Sequence, residues 1–294
     1  MRRWSNESRD SKEVFARKFE AKPEVILAGG EVYLLPKGVK GRFGVEGKRA
    51  DGVNLIDRAK ELGYRIVYNR DELIALPTGT QRVLGVFAAN LMFNEDSEEG
   101  FAKSGAPLFP AGVPDIADLT AAALKIVARN PKGFLMVVND ETMDNLADHF
   151  NSQAVLKALS VADRAIGMMA DHVKANPRTL LLLTADASSG GFALYGRLPG
   201  PERMVIGTKL PERDPVTGAP LDGARGTGSE PFLAAPDRNG QRLPFATAWV
   251  SGIDLAGSVL VRGAGHRAEL VRGSLDNTDI YRVLYAALFD VTLP

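Results

Sequence analysis

Acidic residues that follow three apolar segments are candidates to share a metal ion. The apolar segments at 133–138, 179–184 and 245–250 are predicted strands, and acidic residues come soon after each of them. Ligands of open α/β sheets bind beyond the carboxyl ends of the strands, so these side chains would meet at one edge. Gathered carboxylates raise each other's pKa, and a divalent cation relieves that repulsion. The candidates are Asn139, Asp140, Glu141, Asp144, Asp148 and His149 after the first segment, Asp186 after the second and Asp254 after the third.

The other residue types restrict the chemistry of such a site. The chain has no cysteine, which excludes thiolate metal sites, disulfides and a cysteine nucleophile. Its three histidines are His149, His172 and His266, and the last two are interpreted as surface or packing residues. A site built from carboxylate oxygens suits Mg²⁺, Mn²⁺ or Ca²⁺ better than zinc. The alternative for each aspartate is an ordinary helix cap or a solvated loop charge.

The sequence does not identify a nucleophile. Ser188 and Ser189 follow the strand at 179–184, but no histidine lies near them in sequence to act as a base. Both serines are therefore interpreted as structural, and the catalytic residue stays unassigned.

Alternating helices and strands would position these aspartates. Helical spacing of apolar residues predicts helices at 10–20, 52–62, 115–129, 153–174 and 278–288. Further strands are predicted at 25–27, 65–68, 82–88 and 258–262. Continuous apolar strands between helices favour a largely parallel sheet covered on both faces. Eight of the 17 prolines lie in a segment with little regular structure at about 196–244, which includes a predicted hairpin at 204–210.

Length and charge exclude several other classes of protein. With 294 residues, the chain is predicted to form a single domain, 1–294, with the Pro/Gly-rich segment at about 196–244 as an insertion. Its 36 basic and 36 acidic residues balance, so no nucleic-acid partner is expected. No apolar run is long enough to span a bilayer, so no membrane association is expected. The charged first residues have no hydrophobic segment behind them, so they are not expected to act as a secretory signal peptide.

An ordered set of short motifs resembles the C-terminal half or more of the alkaline phosphatase family. The similarity runs from about residue 20 to the end, and the set is specific because the motifs occur in the family's order. They include residues 22–36, Asp51-Gly-Val-Asn-Leu, Leu84-Gly-Val-Phe, the stretch 119–138, Asp163-Arg-Ala-Ile, Thr184-Ala-Asp and Leu275-Asp-Asn-Thr-Asp-Ile-Tyr.

The resemblance implies a fold and an activity. The fold would be α/β, a three-layer α/β/α sandwich with a mostly parallel sheet that lacks the family's N-terminal strands. The activity would be metal-dependent hydrolysis of phosphate monoesters, with two zinc ions, one magnesium ion and an attacking serine. A phosphate ester would be the substrate, and relatives are commonly periplasmic or extracellular.

The resemblance also assigns metal-ligand positions, with departures. Asp144 stands at a zinc-binding aspartate, while Asp148 and Asp254 stand where the family has histidines. Asp186 stands at the aspartate of the second zinc, but Ala187 replaces the histidine after it. Carboxylates without histidines again indicate a hard divalent cation.

The family's segment with the nucleophilic serine and a phosphate-binding arginine has no match in this sequence. Three hypotheses follow. The chain is a diverged phosphatase whose front half is absent or encoded separately, or it is a non-catalytic, metal-binding or partner-binding remnant of the fold. A hydrolase with altered ester chemistry is a third reading. The implied partners are a second copy, as in a homodimer, or a separate N-terminal portion.

Overall fold

Helices and strands alternate along much of the chain in a computed structural model, which describes residues 21–196, 209–215 and 217–293. The chain divides into two compact units. The first comprises Met1–Asn94 and Phe109–Val138, and the second Glu95–Leu108 and Asn139–Pro294. None of the described helices combines the length and the hydropathy that a membrane span requires. The predicted helix at 10–20 and most of the predicted hairpin at 204–210 lie outside the described residues.

Most of the predicted elements are confirmed. The helices at 52–62, 115–129, 153–174 and 278–288 form with ends displaced by a few residues. The helices are α1 (Leu55–Glu61), α2 (Arg70–Ile74), α3 (Glu98–Ser104), α4 (Ile116–Val127), α5 (Thr142–Asp148), α6 (Ser152–Ala175) and α7 (Asn277–Phe289). The strands are β1 (Val25–Ala28), β2 (Arg65–Val67), β3 (Val83–Val86), β4 (Leu180–Leu183), β5 (Ser188–Ser189), β6 (Ala193–Tyr195), β7 (Leu221–Gly223), β8 (Gly226–Thr227), β9 (Phe232–Leu233), β10 (Pro244–Ala248), β11 (Asp254–Leu255) and β12 (Arg262–Gly265).

The first unit is built on a parallel sheet of order β1-β3-β2. β3 is the central strand, and all four of its residues are buried, as its continuous apolar sequence predicts. In one hydrophobic core, α1 packs against Leu84 and Val86. In a second hydrophobic core, Leu119 and Ile126 of α4 pack against Val83. The predicted α/β class is therefore confirmed.

The second unit is arranged around β10. This strand pairs antiparallel with β6 and β7, which gives a sheet of order β6-β10-β7-β8 with β9 also paired to β10. Two further antiparallel pairs are β11 with β5 and β12 with β4. Within the described part of the predicted insertion, β7, β8 and β9 belong to this sheet system, so this part has more regular structure than its proline content predicted.

The prediction of a strand at 133–138 is wrong. The segment does not form a strand. Exposed and half-buried residues alternate along it, and 60% of Leu135 and 83% of Val137 are accessible to solvent. The sequence has the composition of a strand, but no described strand pairs with it. β4 was predicted to be fully buried, yet it is only partly buried and Leu183 is exposed. β12, its partner, is exposed along its whole length. The strand predicted at 258–262 lies instead at Arg262–Gly265.

Candidate functional site

Helix α5 places two of the predicted ligands one turn apart. Leu146 and Ala147 are buried and fix the inner face of the helix, while Asp144 is half-buried and Asp148 is exposed. The carboxylate of Asp140 accepts a hydrogen bond from the backbone N–H of Thr142 at 3.0 Å, which helps to satisfy the helix N-terminus.

The short pair β5–β11 brings a third aspartate to the same place. Ser189 on β5 lies directly opposite Asp254 on β11. The Ser189 hydroxyl lies 3.1 Å from Oδ1 of Asp254, and it also makes a short hydrogen bond with Asp144. We call these three residues, Asp144, Ser189 and Asp254, the Ser189 cluster.

The Ser189 cluster has too few hydrogen-bond donors for its acceptors when both carboxyl groups are charged. A serine hydroxyl has one hydrogen to donate, whereas two carboxylates only accept. Burial is the largest cause that raises the pKa of Asp144, and the adjacent carboxyl groups of Asp254 and Asp148 also raise it, against the hydrogen bond from Ser189; the resulting pKa is about 6. A proton on Asp144 therefore stabilises the cluster at low pH.

Asp148 belongs to the same electrostatic environment. Burial and the charge of Asp254 raise its pKa, and the neighbouring His149 opposes them. Asp148, Asp144 and Asp254 are thus close enough to act on one another, although Asp144 and Asp148 lie on a helix and not at the end of a strand.

Asp186 is placed differently. It is exposed in the loop between β4 and β5, two residues before β5 begins, and no described contact joins it to the Ser189 cluster. Among the described residues, no group of three or more histidine, aspartate or glutamate side chains is arranged to hold a metal ion. The four-aspartate metal site therefore stays a prediction.

The atoms that converge in the Ser189 cluster are all oxygens. Carboxylate and hydroxyl oxygens fit a hard cation such as Mg²⁺, Mn²⁺ or Ca²⁺, whereas a zinc site usually includes nitrogen or sulfur. Two of the three histidines have other neighbours. His172 lies 3.3 Å from the side-chain amide of Asn176, and His266 lies 3.1 Å from the carboxylate of Asp290. The donor atoms therefore fit a hard divalent ion and do not fit the zinc ligands of the resemblance.

A buried carboxylate behind the cluster was not recognised in the sequence. Asp222 on β7 is fully buried, and it accepts hydrogen bonds from Trp249 Nε1 at 2.6 Å, Thr227 Oγ1 at 2.9 Å and Ser152 Oγ at 3.1 Å. Burial raises its pKa, and these three donors oppose that effect. In sequence, an aspartate followed by glycine in a proline-rich segment is typical of a turn, so no signal pointed to this role.

A second buried acid lies at the N-terminus of α6. Glu98 accepts a hydrogen bond from the backbone N–H of Gln153 at 3.1 Å, and Asn151 accepts one from Ala154 at 2.8 Å. Carboxylates are favourable at this end of a helix because its backbone N–H groups and dipole are positive. Burial, together with the charge of Asp222, nevertheless raises the pKa of Glu98 from 4.5 to about 7.

Comparison with known proteins gives consistent results. The alkaline phosphatase family model matches residues 2–289. Streptomycin-6-phosphate phosphatase of Streptomyces griseus is 27% identical over 290 residues, which cover 91% of this chain and 56% of that protein. Alkaline phosphatase H of Pseudomonas aeruginosa is 25% identical, with 92% of this chain and 52% of that protein covered. The chain thus spans about half the length of these relatives.

The crystal structure of Thermus thermophilus alkaline phosphatase is similar in fold. It superposes with a TM-score of 0.63 at 22% identity, and the match covers 92% of this chain and 64% of that one. At this identity the likeness concerns the fold alone.

The raised pKa of Glu98 predicts a pH dependence of stability. The unfolded chain releases this proton near pH 4.5, but the folded chain holds it until about pH 7. The free energy of unfolding therefore falls as pH rises through this window, by an amount on the order of 3 kcal/mol. Glu98→Gln keeps the oxygen that accepts from Gln153 and should remove this part of the fall, while the part due to the raised pKa of Asp144 remains. Urea unfolding of both proteins at intervals from about pH 5 to 8 measures the difference.

Glu269→Gln, a change at an exposed carboxylate, is the matched control. It should leave the pH dependence of the wild type unchanged. Equal pH dependence in the wild type and Glu98→Gln would contradict the assignment.

Proposed function

Because the chain belongs to the alkaline phosphatase family, we propose that it is a diverged member that binds a divalent metal ion and acts on phosphate monoesters. The ion is Mg²⁺, Mn²⁺ or Ca²⁺, since the donor atoms are carboxylate oxygens. Its proposed ligands are Asp144, Asp148, Asp186 and Asp254.

The convergence of Asp144 and Asp254 on the Ser189 hydroxyl carries this proposal. Two carboxyl groups on one hydroxyl are stabilised either by a proton or by a cation, because their negative charges repel each other. The raised pKa of Asp148 indicates that a third carboxylate is within reach of the same charge. Asp186 would have to approach from the exposed loop between β4 and β5 to complete the set.

The residues of this chain would bind and orient rather than attack. The Ser189 hydroxyl lies between the carboxyl groups of Asp144 and Asp254. Asp148, one turn after Asp144 on α5, adds a further carboxylate. A divalent ion bound here would supply positive charge for the oxygens of a phosphate ester. The sequence has no match to the family's serine segment, so hydrolysis by this chain alone is expected to be slow.

The second candidate function, partner binding, is favoured by the segment at 133–138. Leu135 and Val137 are exposed apolar side chains in an alternating pattern that is typical of a strand, and no described strand pairs with them. A partner strand would pair with this segment through backbone hydrogen bonds. The proposed partner is a polypeptide that carries the part of the family domain that this chain does not match.

Cation binding is the first test of the proposal. The purified chain should bind Mn²⁺, and Asp144→Asn or Asp254→Asn should weaken the affinity at least about tenfold, since each removes a ligand charge. Calorimetric titration with Mg²⁺, Mn²⁺, Ca²⁺ and Zn²⁺ measures the dissociation constants. Asp163→Asn changes an exposed aspartate on α6 and should have no effect. Preferred stoichiometric binding of zinc, or no binding of any ion, would contradict the proposal.

Hydrolysis is the second test. Turnover of p-nitrophenyl phosphate, assayed from about pH 7 to 10 with one metal ion at a time, should require Mg²⁺, Mn²⁺ or Ca²⁺. Asp186→Ala should abolish it, because the proposal makes that carboxylate a ligand. Absence of turnover with every ion, in protein that is folded by circular dichroism, would favour the partner-binding function instead.

Partner binding has its own test. A polypeptide with the part of streptomycin-6-phosphate phosphatase that this chain does not match should bind the wild type, and Val137→Glu should prevent binding. Charge at an exposed valine should leave stability within about 0.5 kcal/mol. Val53→Glu, at another exposed valine of the same unit, is the control. Equal binding by Val137→Glu, or a wild-type dimer that this substitution dissociates, would contradict the proposed partner.

A further inference from the structure

We propose that Asp222 and Trp249 are positioning residues for the Ser189 cluster. The buried carboxylate fixes the indole, and the indole fixes the glycine turn that holds Ser189 between Asp144 and Asp254. The functional part of this inference rests on the cation binding proposed above, whereas its structural part does not.

The first step is the orientation of the indole. Trp249 is 1% exposed, and its Nε1 donates to Asp222 at 2.6 Å. A hydrogen bond to a buried carboxylate is stronger than one between neutral groups, and it allows one direction of the ring. Phe192 packs edge-on at 4.9 Å between ring centroids, and Phe150 lies at 6.2 Å. The indole therefore has little freedom to rotate.

The second step joins the indole to the turn after Ser189. Gly190 and Gly191 both have positive φ, 66° and 59°. A Cβ atom on Gly190 would lie 2.7 Å from Cε3 of Trp249 and 3.1 Å from the carbonyl oxygen of Ala147. Glycine is required here because the backbone is left-handed and because the ring and α5 leave no space for a side chain. The turn is thus confined between the indole and the helix that carries Asp144.

The third step is the backbone connection on the other side. The carbonyl oxygen of Gly190 accepts hydrogen bonds from the N–H of Val250 at 2.8 Å and of Ser251 at 3.2 Å. These residues directly follow Trp249 and lead to Asp254, which pairs with Ser189. The position of the indole therefore affects both strands of the pair β5–β11. A shift of either strand separates the Ser189 hydroxyl from its carboxyl partners.

Further support comes from the residues that hold Asp222 itself. Ser152 begins α6 and Thr227 lies on β8, so the carboxylate also joins the long helix and the antiparallel sheet to the indole. Asp222 contacts neither Asp144 nor Asp254 among the described hydrogen bonds, and its described connection to the pair β5–β11 is the hydrogen bond with Trp249.

Trp249→Phe tests the inference because it keeps an aromatic ring and removes the N–H. We expect the hydrogen exchange of the Val250 and Ser251 amides, measured by NMR, to accelerate at least about tenfold. We also expect the dissociation constant for Mn²⁺ to rise about tenfold, as for other residues that orient metal ligands. Val283→Ala, which trims a buried side chain of α7, is the control for general destabilisation. It should change neither the exchange of these two amides nor the affinity.

Different results separate the two proposals. If the wild type binds no cation but Trp249→Phe accelerates exchange of the two amides, the proposed cation site fails and the positioning role stands. If exchange is unchanged in Trp249→Phe, or if Val283→Ala accelerates it equally, the positioning role is overturned. Asp222→Asn should reproduce the effect of Trp249→Phe, and the double variant should add little to either, since both belong to one interaction.

Discussion

The buried carboxylate of Asp222 is the interaction on which the second unit depends. A charge without solvent is costly unless hydrogen bonds replace the lost water. Ser152, Thr227 and Trp249 provide three such bonds, and each comes from a different element: α6, β8 and the end of β10. All three donors must therefore stay in place around the carboxylate, because loss of any one leaves the charge with fewer hydrogen bonds. These hydrogen bonds therefore join the antiparallel sheet and α6 at Asp222.

Negative charge accumulates around this point without a basic partner among the described contacts. Glu98 and Asp222 lie near the N-terminus of α6, where the helix dipole offsets part of the charge, yet both pKa values are raised. Asp144 and Asp148 on α5 show the same tendency. Burial and the neighbouring carboxylates thus act in the same direction on these groups, because both disfavour the charged form.

The sequence predicted local structure better than it predicted burial. Helix α4 was found from its apolar spacing, and Asp115 caps it. The four-aspartate site stays a prediction, although Asp144 and Asp254 both form hydrogen bonds with Ser189. Strand pairing could not be predicted in the same way: 133–138 has a strand's composition but does not form a strand. Asp222 and Trp249 were missed because a turn-like Asp-Gly and a lone tryptophan have no pattern of their own, and only the three-dimensional structure brings them into contact.

The exposed side chains of Leu135 and Val137 have a consequence for the behaviour of the chain in solution. Apolar side chains in contact with water lower solubility, because their burial against any other apolar surface is favourable. A charged residue at either position would act as a gatekeeper against aggregation.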